Sequence, residues 1–336
     1  MKKPDFDNLK NTITCKKEGQ VPIIELHIDK GYKEKFLKRE IKNTHDEIEF
    51  AIKNNHDFLL LSSGILKPAQ SLGQKSENSK DRWANERKGV ISTLHDFEQY
   101  NWPAVLGKDG EIISNTKTQL PRGMGLIITC GKIFTASWML MGFDNFCISL
   151  YDNKNLVKKV IEKVAGIQFE YFKNIIEIEK DLIIAAVDDI AYTEGLMISA
   201  DFIRGNVFPW YEKMGKICRH HDIPFIYHSD GNISQILDDL LTCGFSAIHP
   251  VEPKAMNILE LKKKYKDKLC LLGNIELDIL IRGKPEDVKK LVEYNLKNVA
   301  SEGFYACGSS NSVTETVPVE NYLALVETIK KFNLSL

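Results

Sequence analysis

The chain has 336 residues, of which 43% are hydrophobic and 27% are charged, and its formal net charge is -1 at pH 7. These values are typical of a globular protein and exclude a polyelectrolyte. Because no basic stripe is visible, we expect no nucleic-acid partner. Residues 1–7 are polar where a signal peptide needs an apolar core, and no apolar run of about 18 residues occurs. We therefore expect a cytoplasmic protein without a membrane partner.

Apolar segments that are typical of buried strands begin at residues 21, 58, 125, 181, 223, 246, 268 and 302. The first segment, residues 21–28, alternates in part and places Glu25 and His27 on one face. A charged helical segment covers about residues 33–54. Residues 65–90 are polar and predict a long surface excursion, with Trp83 and Arg87 as candidates for a lid.

Helices are predicted between these strands. Residues 134–142 form an apolar helix that ends at a glycine C-cap, and residues 153–178 form a long amphipathic helix. A helix near 200–220 is bent or restarted at Pro209. From residue 223 onward, strands and helices alternate strictly: strands 223–228, 246–251, 268–273 and 302–306, and helices 233–242, 257–265, 286–300 and 319–332.

This alternation predicts the fold class. Apolar strands followed by amphipathic helices pair in parallel with the helices outside, and eight strands indicate a (β/α)8 TIM barrel. An open doubly wound sheet is the rival, but no G-x-G-x-x-G follows any strand and no G-x-x-x-x-G-K-[ST] occurs. We therefore predict an α/β protein in which residues 1–336 form one barrel domain, with an N-terminal extension and long loop insertions.

The carboxyl ends of the strands carry many polar side chains, and in a barrel the catalytic groups come from these ends. His228 and Asp230 end the strand at 223–228, and Gly231 follows them. Side chains two residues apart on a strand point the same way, so both can face one pocket at the barrel mouth. The other strand ends contribute Glu25, His27, Asp188, Asp189, His249, Glu252, Asn274, Glu276 and Cys307.

Two chemical interpretations of these residues stay open. His228, Asp230, Glu252 and Cys307 would offer nitrogen, oxygen and sulfur ligands that suit zinc. Alternatively, His228 bonds Asp230 or a backbone carbonyl, Glu252 faces solvent, and Cys307 is a small buried hydrophobe. The seven cysteines are odd in number and lack paired spacing, which indicates reduced thiols.

Asp188 and Asp189, with Tyr192 and Glu194 after them, form a second polar cluster. Adjacent carboxylates in a pocket repel each other, so one would be protonated or would hold a substrate cation or hydroxyl. The alternative is an N-cap for the next helix beside a solvated acid. Barrel position favours the functional interpretation.

Several stretches together resemble the uroporphyrinogen decarboxylase superfamily, particularly its corrinoid-dependent methyltransferase (demethylase) branch. They are DDIAYTEGLMIS at 188–199, YHSDGN at 227–232, GNIE at 273–276, ACGSSN at 306–311 and PVENY at 318–322. The resemblance covers about residues 120–332 in order, and the N-terminal third matches loosely. It implies a (β/α)8 barrel. The Arg-x-Ala-Gly-Arg element with which the decarboxylases grip substrate carboxylates is absent, which argues against porphyrinogen decarboxylation.

The methyltransferases of this superfamily bind zinc through a His-x-Cys pair and a distant Cys before Gly. The resemblance therefore implies His228 and Cys307 as ligands, with Asp230 in place of the middle Cys and Asp230 or Glu252 completing the site. Fewer thiolates leave zinc a harder Lewis acid, which suits an ether oxygen as the leaving atom. The corrinoid-binding signature Asp-x-His-x-x-Gly is absent, so the corrinoid would belong to a separate partner protein.

From these observations we predict a zinc-dependent methyltransferase that moves a methyl group from a small methylated donor, O-methyl ahead of N-methyl, to that corrinoid. Two alternatives stay open, namely methyl transfer from the corrinoid to a thiol or tetrahydrofolate, and a metal-free lyase of the decarboxylase type. Oligomeric state is also open, with a homodimer among the outcomes. The predicted catalytic residues are Asp188, Asp189, Tyr192 and Asp230, the substrate-binding residues are Glu194, Asn274, Glu276 and Asn311, and the metal ligands are His228, Cys307, Glu252 and Asp230.

Overall fold

The computed structural model describes residues 3–17, 19–62, 89–103, 105 and 109–335. Trp83 and Arg87, the predicted lid residues, lie outside the described residues. Among the described residues, no helix combines the length and the apolar character needed to cross a membrane.

Seven parallel strands form one sheet in the described part of the chain, in the order β1-β2-β3-β6-β7-β8-β9. They are β1 Phe58–Ser62, β2 Gly125–Cys130, β3 Ile183–Val187, β6 Phe225–His228, β7 Ala247–His249, β8 Cys270–Ile275 and β9 Tyr305–Ser309. Two short strands, β4 Ala191–Tyr192 and β5 Gly195–Leu196, pair as an antiparallel hairpin that follows β3. Each predicted strand from residue 58 onward is therefore present, with its ends shifted by up to three residues.

The predicted first strand lies beside β9 without forming a continuous ladder. Ile23 makes a parallel bridge to Cys307, and Ile28 makes one to Val313. The Ile24 N–H donates to the Cys307 carbonyl at 3.0 Å, and the Cys307 N–H donates to the Pro22 carbonyl at 2.9 Å. This segment takes the eighth position next to the seven-stranded sheet, and the (β/α)8 barrel is confirmed.

Helices precede and connect the strands. In the described residues they are α1 Phe6–Ile13, α2 Lys30–Leu37, α3 Thr44–Lys53, α4 Leu94–Gln99, α5 Asp109–Gln119, α6 Phe134–Met141, α7 Phe143–Asp152, α8 Lys154–Ile178, α9 Ala200–Asn206, α10 Phe208–His220, α11 Leu237–Cys243, α12 Ile258–Tyr265, α13 Leu277–Arg282, α14 Pro285–Asn298 and α15 Val319–Asn333. Short 3-10 turns cover Ser234–Ile236 and Ala300–Glu302.

Local sequence signals account for two helix boundaries. The segment predicted as one helix at 33–54 is two helices, because Lys38 ends α2 in a left-handed conformation and Asn43 starts α3 with a reciprocal capping box to Asp46. The predicted break at Pro209 is confirmed, since Pro209 lies in the first turn of α10.

Two apolar layers follow from strand alternation. The inner layer fills the barrel with side chains such as Ile183, Ile226 and Ala306, and three residues of α1 join it: Phe6, Leu9 and Ile13. The outer layer packs between strands and helices and contains Tyr227 and Cys307. Neighbouring strand residues therefore face opposite layers.

Helix α1 covers one end of the inner layer. The Phe6 ring lies where a Cβ atom on Gly125, the first residue of β2, would come within 2.2 Å of it. Glycine is therefore needed at this position for the close approach of α1. Because β2 begins there, α1 covers the amino-terminal end of the barrel and leaves the opposite, carboxyl-terminal end for a functional site.

Candidate active site

Asp189, His228 and Asp230 meet where β3 and β6 end, and each offers one ligand atom within 4.8 Å of the other two. The His228 Nε2 atom lies 3.7 Å from Asp189 Oδ1 and 3.9 Å from Asp230 Oδ1. Val187 and His228 are paired in register, so the residues that follow both strands emerge at the same edge. The predicted His228 and Asp230 pair does face one site at the strand ends.

His249 orients the His228 ring. The two Nδ1 atoms are 2.8 Å apart and the rings stack with centroids 5.0 Å apart, because the two residues are paired in register on β6 and β7. Burial lowers the pKa of His228 and holds the pKa of His249 well below its usual range, so both rings are neutral near pH 7. With the Nδ1 hydrogen on His228, its Nε2 lone pair points toward the two aspartates.

Asp230 is the most perturbed carboxyl group of the cluster. Burial, and then the charges of Asp189 and Glu252, raise its pKa to about 7, while a hydrogen bond from Asn311 opposes the shift. The Asn311 amide donates to Asp230 Oδ2 at 3.1 Å. The other oxygen, Oδ1, is buried without a hydrogen-bond partner and is the atom that faces His228. A buried carboxylate oxygen without a partner is costly, so this atom is suited to a ligand.

Glu252 and Asn311 extend the cluster toward β7 and β9. One Glu252 oxygen accepts the Gly231 N–H at 2.9 Å, and the other lies 3.4 Å from the Asn311 amide nitrogen. Three carboxylates, Asp189, Asp230 and Glu252, therefore converge on a region where one amide donates to two of them. Such a concentration of negative charge favours a bound cation.

The family model described as uroporphyrinogen decarboxylase (URO-D) matches residues 49–332. The chain belongs to the uroporphyrinogen decarboxylase family. No curated protein sequence matches the chain.

Among solved structures, this family member is similar to a methyltransferase from Methanosarcina mazei, with a TM-score of 0.72 and 16% identity over 97% of this chain and 98% of that one. At this identity, the similarity shows a shared fold. A sugar phosphate isomerase/epimerase from Parabacteroides distasonis aligns with a TM-score of 0.40 and 9% identity over 94% of this chain and 96% of that one.

Asp188, predicted as catalytic, is fully buried in this uroporphyrinogen decarboxylase family member and holds the start of α6. Backbone N–H groups of residues 133–135 donate to its carboxylate at 2.7 to 3.1 Å, and the Tyr211 hydroxyl donates at 2.6 Å. A carboxylate at a helix N-terminus satisfies N–H groups that have no partner within the helix. This geometry matches the capping alternative, although the cap belongs to the helix after β2.

Of the predicted substrate-binding residues, Asn274 and Glu276 bond to neighbouring protein groups, whereas Glu194 and Asn311 lie beside or in the cluster. The Asn274 amide is buried and bonds the Val251 carbonyl at 2.6 Å, and Glu276 forms an ion pair with Lys254 at 3.1 Å. Glu194, predicted to bind substrate, and Tyr192, predicted to be catalytic, are exposed on the β4–β5 hairpin. The hairpin adjoins the cluster, because the Asn232 N–H bonds the Tyr192 carbonyl at 2.8 Å. Asn311 lies in the cluster itself.

Cys307 lies in the outer apolar layer, and the candidate metal cluster among the described residues does not include it. Burial raises the pKa of the Cys307 thiol to about 12, which is typical of a cysteine in apolar surroundings. The sequence places His249 at a strand end, where a histidine is often structural, and it predicts Asp189 as catalytic rather than as a metal ligand. The register of β3, β6 and β7 brings both residues to His228, and hydrophobic patterning does not determine that register.

Proposed function

We propose that this chain is a metal-dependent methyltransferase of the uroporphyrinogen decarboxylase family. It takes a methyl group from a small donor, an O-methyl compound ahead of an N-methyl one, and passes it to a corrinoid on a partner protein. Family membership and the fold shared with a methyltransferase support the reaction class. The resemblance to the corrinoid-dependent methyltransferases supports a corrinoid that is carried by a partner protein.

The unpartnered Asp230 Oδ1 atom, which faces His228 Nε2 and Asp189, carries the metal part of the proposal. These three residues would hold zinc, since imidazole and carboxylate are among its usual ligands. Catalytic zinc sites use three protein ligands and leave one position open. Their separations of 3.7 and 3.9 Å suit atoms that share a cation rather than a hydrogen bond.

When bound, zinc supplies a Lewis acid that polarises the leaving oxygen of the donor. The protein then has three tasks. His249 keeps the His228 ring in one orientation, Asn311 holds Asp230, and the Gly231 N–H holds Glu252 at the rim. Tyr192 and Glu194, exposed on the adjoining hairpin, are proposed to contact the donor or the corrinoid protein.

The metal assignment is tested by measuring the zinc content of the purified protein and of the Asp189→Ala, His228→Ala and Asp230→Ala variants. Exposed residues outside the cluster provide matched controls, His220→Ala for the histidine and Asp238→Ala for the acids. We expect about one zinc per wild-type chain, loss in the three site variants and retention in both controls. Full zinc retention by all three site variants would sink the assignment.

The reaction is tested by adding cob(I)alamin or a corrinoid protein and a panel of methoxylated and N-methylated compounds, and following the formation of methylcorrinoid. The reverse assay starts from methylcorrinoid with a thiol or tetrahydrofolate. Formation of methylcorrinoid supports the proposed direction, whereas its consumption in the second assay selects the alternative direction. Decarboxylation of a small carboxylic acid that persists after complete metal removal would favour the lyase alternative instead.

A further inference from the structure

Glu25 is a buried acid that the proposed reaction does not use. It is 3% exposed and lies on the segment beside β9. Both of its oxygens contact Ser309: Oε1 accepts the Ser309 N–H at 2.9 Å, and Oε2 lies in hydrogen-bond contact with the Ser309 hydroxyl. The same hydroxyl also bonds the backbone carbonyl of Asn311. Ser309 therefore links Glu25 to a residue of the site.

The number of hydrogens on the Ser309 hydroxyl bears on the protonation state of Glu25. A serine hydroxyl has one hydrogen, and the Asn311 carbonyl can only accept. The Ser309 hydrogen must therefore point at Asn311 if that bond is made. In that case the contact between Ser309 Oγ and Glu25 Oε2 needs a hydrogen from Glu25, which only an un-ionised acid supplies.

A second hydrogen-bonded chain reaches Glu25 through Tyr322. His56 Nε2 lies 3.0 Å from the Tyr322 hydroxyl, and Tyr322 bonds Glu25. Burial lowers the pKa of His56 to about 3, so its ring is neutral and can donate to Tyr322. Burial likewise raises the pKa of Glu25 to about 8, while the bonds from Ser309 and Tyr322 oppose the shift.

We infer that Glu25 is a positioning residue of the site: as an un-ionised acid it donates to Ser309, which holds the Asn311 carbonyl and thereby keeps the Asn311 amide against Asp230 and Glu252. The inference rests on the proposed function only in giving that site a role. The titratable or charged residues around Glu25 are His27 on its own segment, Tyr32 and Lys33 on α2, Glu47 on α3, His56 before β1, Tyr305 and Cys307 on β9, and Tyr322 on α15.

Glu25→Gln is the matched variant, because a glutamine amide can donate to Ser309 Oγ while its carbonyl accepts the Ser309 N–H. Glu25→Ala removes both bonds. Hydrogen exchange of residues 309–312, measured at fixed pH by mass spectrometry, reports how firmly this segment is held. The measurement needs neither bound metal nor catalytic turnover. At pH 7 we expect Glu25→Gln to match the wild type and Glu25→Ala or Ser309→Ala to exchange at least tenfold faster.

Raising the pH separates positioning from packing. Above about pH 8 the wild-type acid ionises, the Ser309 hydroxyl turns to it and Asn311 loses its partner. At pH 9 we therefore expect faster hydrogen exchange and roughly tenfold weaker zinc binding in the wild type than in Glu25→Gln. The reason is that Asn311, which supports the ligand Asp230, has lost its bond to Ser309. Infrared difference spectra, wild type minus Glu25→Gln, should show a carboxylic-acid C=O band at pH 6 that disappears by pH 10.

The inference is overturned if that band is absent at pH 6, or if Glu25→Gln exchanges as fast as Glu25→Ala at pH 7. Failure of the proposed function gives a different result. In that case, neither the wild type nor Glu25→Gln binds zinc, but the exchange pattern and the infrared band stay as described.

Discussion

Replacing Asp188 by asparagine tests whether this residue serves the fold or the reaction. One oxygen, Oδ2, accepts from Ile133, Phe134 and Tyr211, while Oδ1 accepts from Thr135 at 2.7 Å. An asparagine can place its oxygen on the first three donors only by turning its NH2 group toward the Thr135 N–H. Two donors then face each other in a buried site, and the charge that strengthened the other bonds is lost.

Each hydrogen bond to a charged group contributes about 1.5–3 kcal/mol, and loss of a helix cap costs about 1 kcal/mol. Since three of the four bonds survive in weaker form, Asp188→Asn should lower the free energy of unfolding by roughly 2–4 kcal/mol. Urea unfolding monitored by circular dichroism measures this change. Asp201→Asn, an exposed acid on α9, should change it by less than about 0.5 kcal/mol.

Tyr211→Phe removes one donor, so the two single changes should be coupled in a double-mutant cycle. A catalytic role predicts a different result. If Asp188→Asn unfolds at the same urea concentration as the wild type and has lost methyl transfer, the capping argument fails and Asp188 acts in the reaction.

Three further predictions concern single residues. Cys307→Ala should retain zinc, because the thiol faces the outer apolar layer; zinc loss would restore Cys307 as a ligand. His249→Phe should weaken zinc binding about 10–100-fold in a calorimetric titration, since the His228 ring loses its partner, and equal affinity would contradict that role. His56 has a pKa of about 3 when folded, below its unfolded value, so its contribution to stability is present above about pH 6.5 and is lost as the pH falls. Between pH 7 and pH 5 the wild type should lose about 2 kcal/mol more than His56→Gln in urea unfolding, and equal losses would show that His56 is not buried as a neutral ring.

The barrel could be predicted from the sequence because its signal is repeated. Alternating apolar strands and amphipathic helices specify a parallel sheet whatever the exact ends are, and Pro209 and Gly142 mark helix ends through backbone chemistry. The partial ladder at 21–28 was not predictable in the same way. Its pairing with β9 depends on contacts with residues about 280 positions later, such as the bond between Ile24 and Cys307.

Within the site, His228 and Asp230 could be predicted because β6 ends at residue 228 as the sequence indicates. To predict that Asp189 joins them, one needs the register between β3 and β6, which places Val187 opposite His228. Predicting the role of Glu25 required the knowledge that Ser309 lies beside it on the neighbouring strand, and its protonation state required the hydrogen count at Ser309. These are long-range contacts, and the pattern of a single strand does not contain them.

The position of Cys307 depends on where the last strand begins. The sequence predicts a strand at 302–306, which would leave Cys307 just beyond its end at the barrel mouth. In the structure, the 3-10 turn Ala300–Glu302 and Gly303, with a φ of 87°, delay the strand to Tyr305–Ser309. Cys307 then lies mid-strand opposite Gly273, and alternation turns its side chain outward while Ala306 faces inward.

The same shift brings Asn311 to the site. The chain leaves β9 at Ser309, whose bonds to Glu25 and to the Asn311 carbonyl turn it across the mouth. The first side chain beyond that turn to reach Asp230 is an amide rather than a thiol. Because Asn311 and not a cysteine occupies this position, the cluster offers only imidazole and carboxylate ligands. This ligand set is harder than one that contains a thiolate. A shift of three residues at the start of one strand therefore changes the expected ligand set from one that contains a thiolate to one of imidazole and carboxylates only. The comparison of zinc content between Cys307→Ala and Asp189→Ala decides between the two sets.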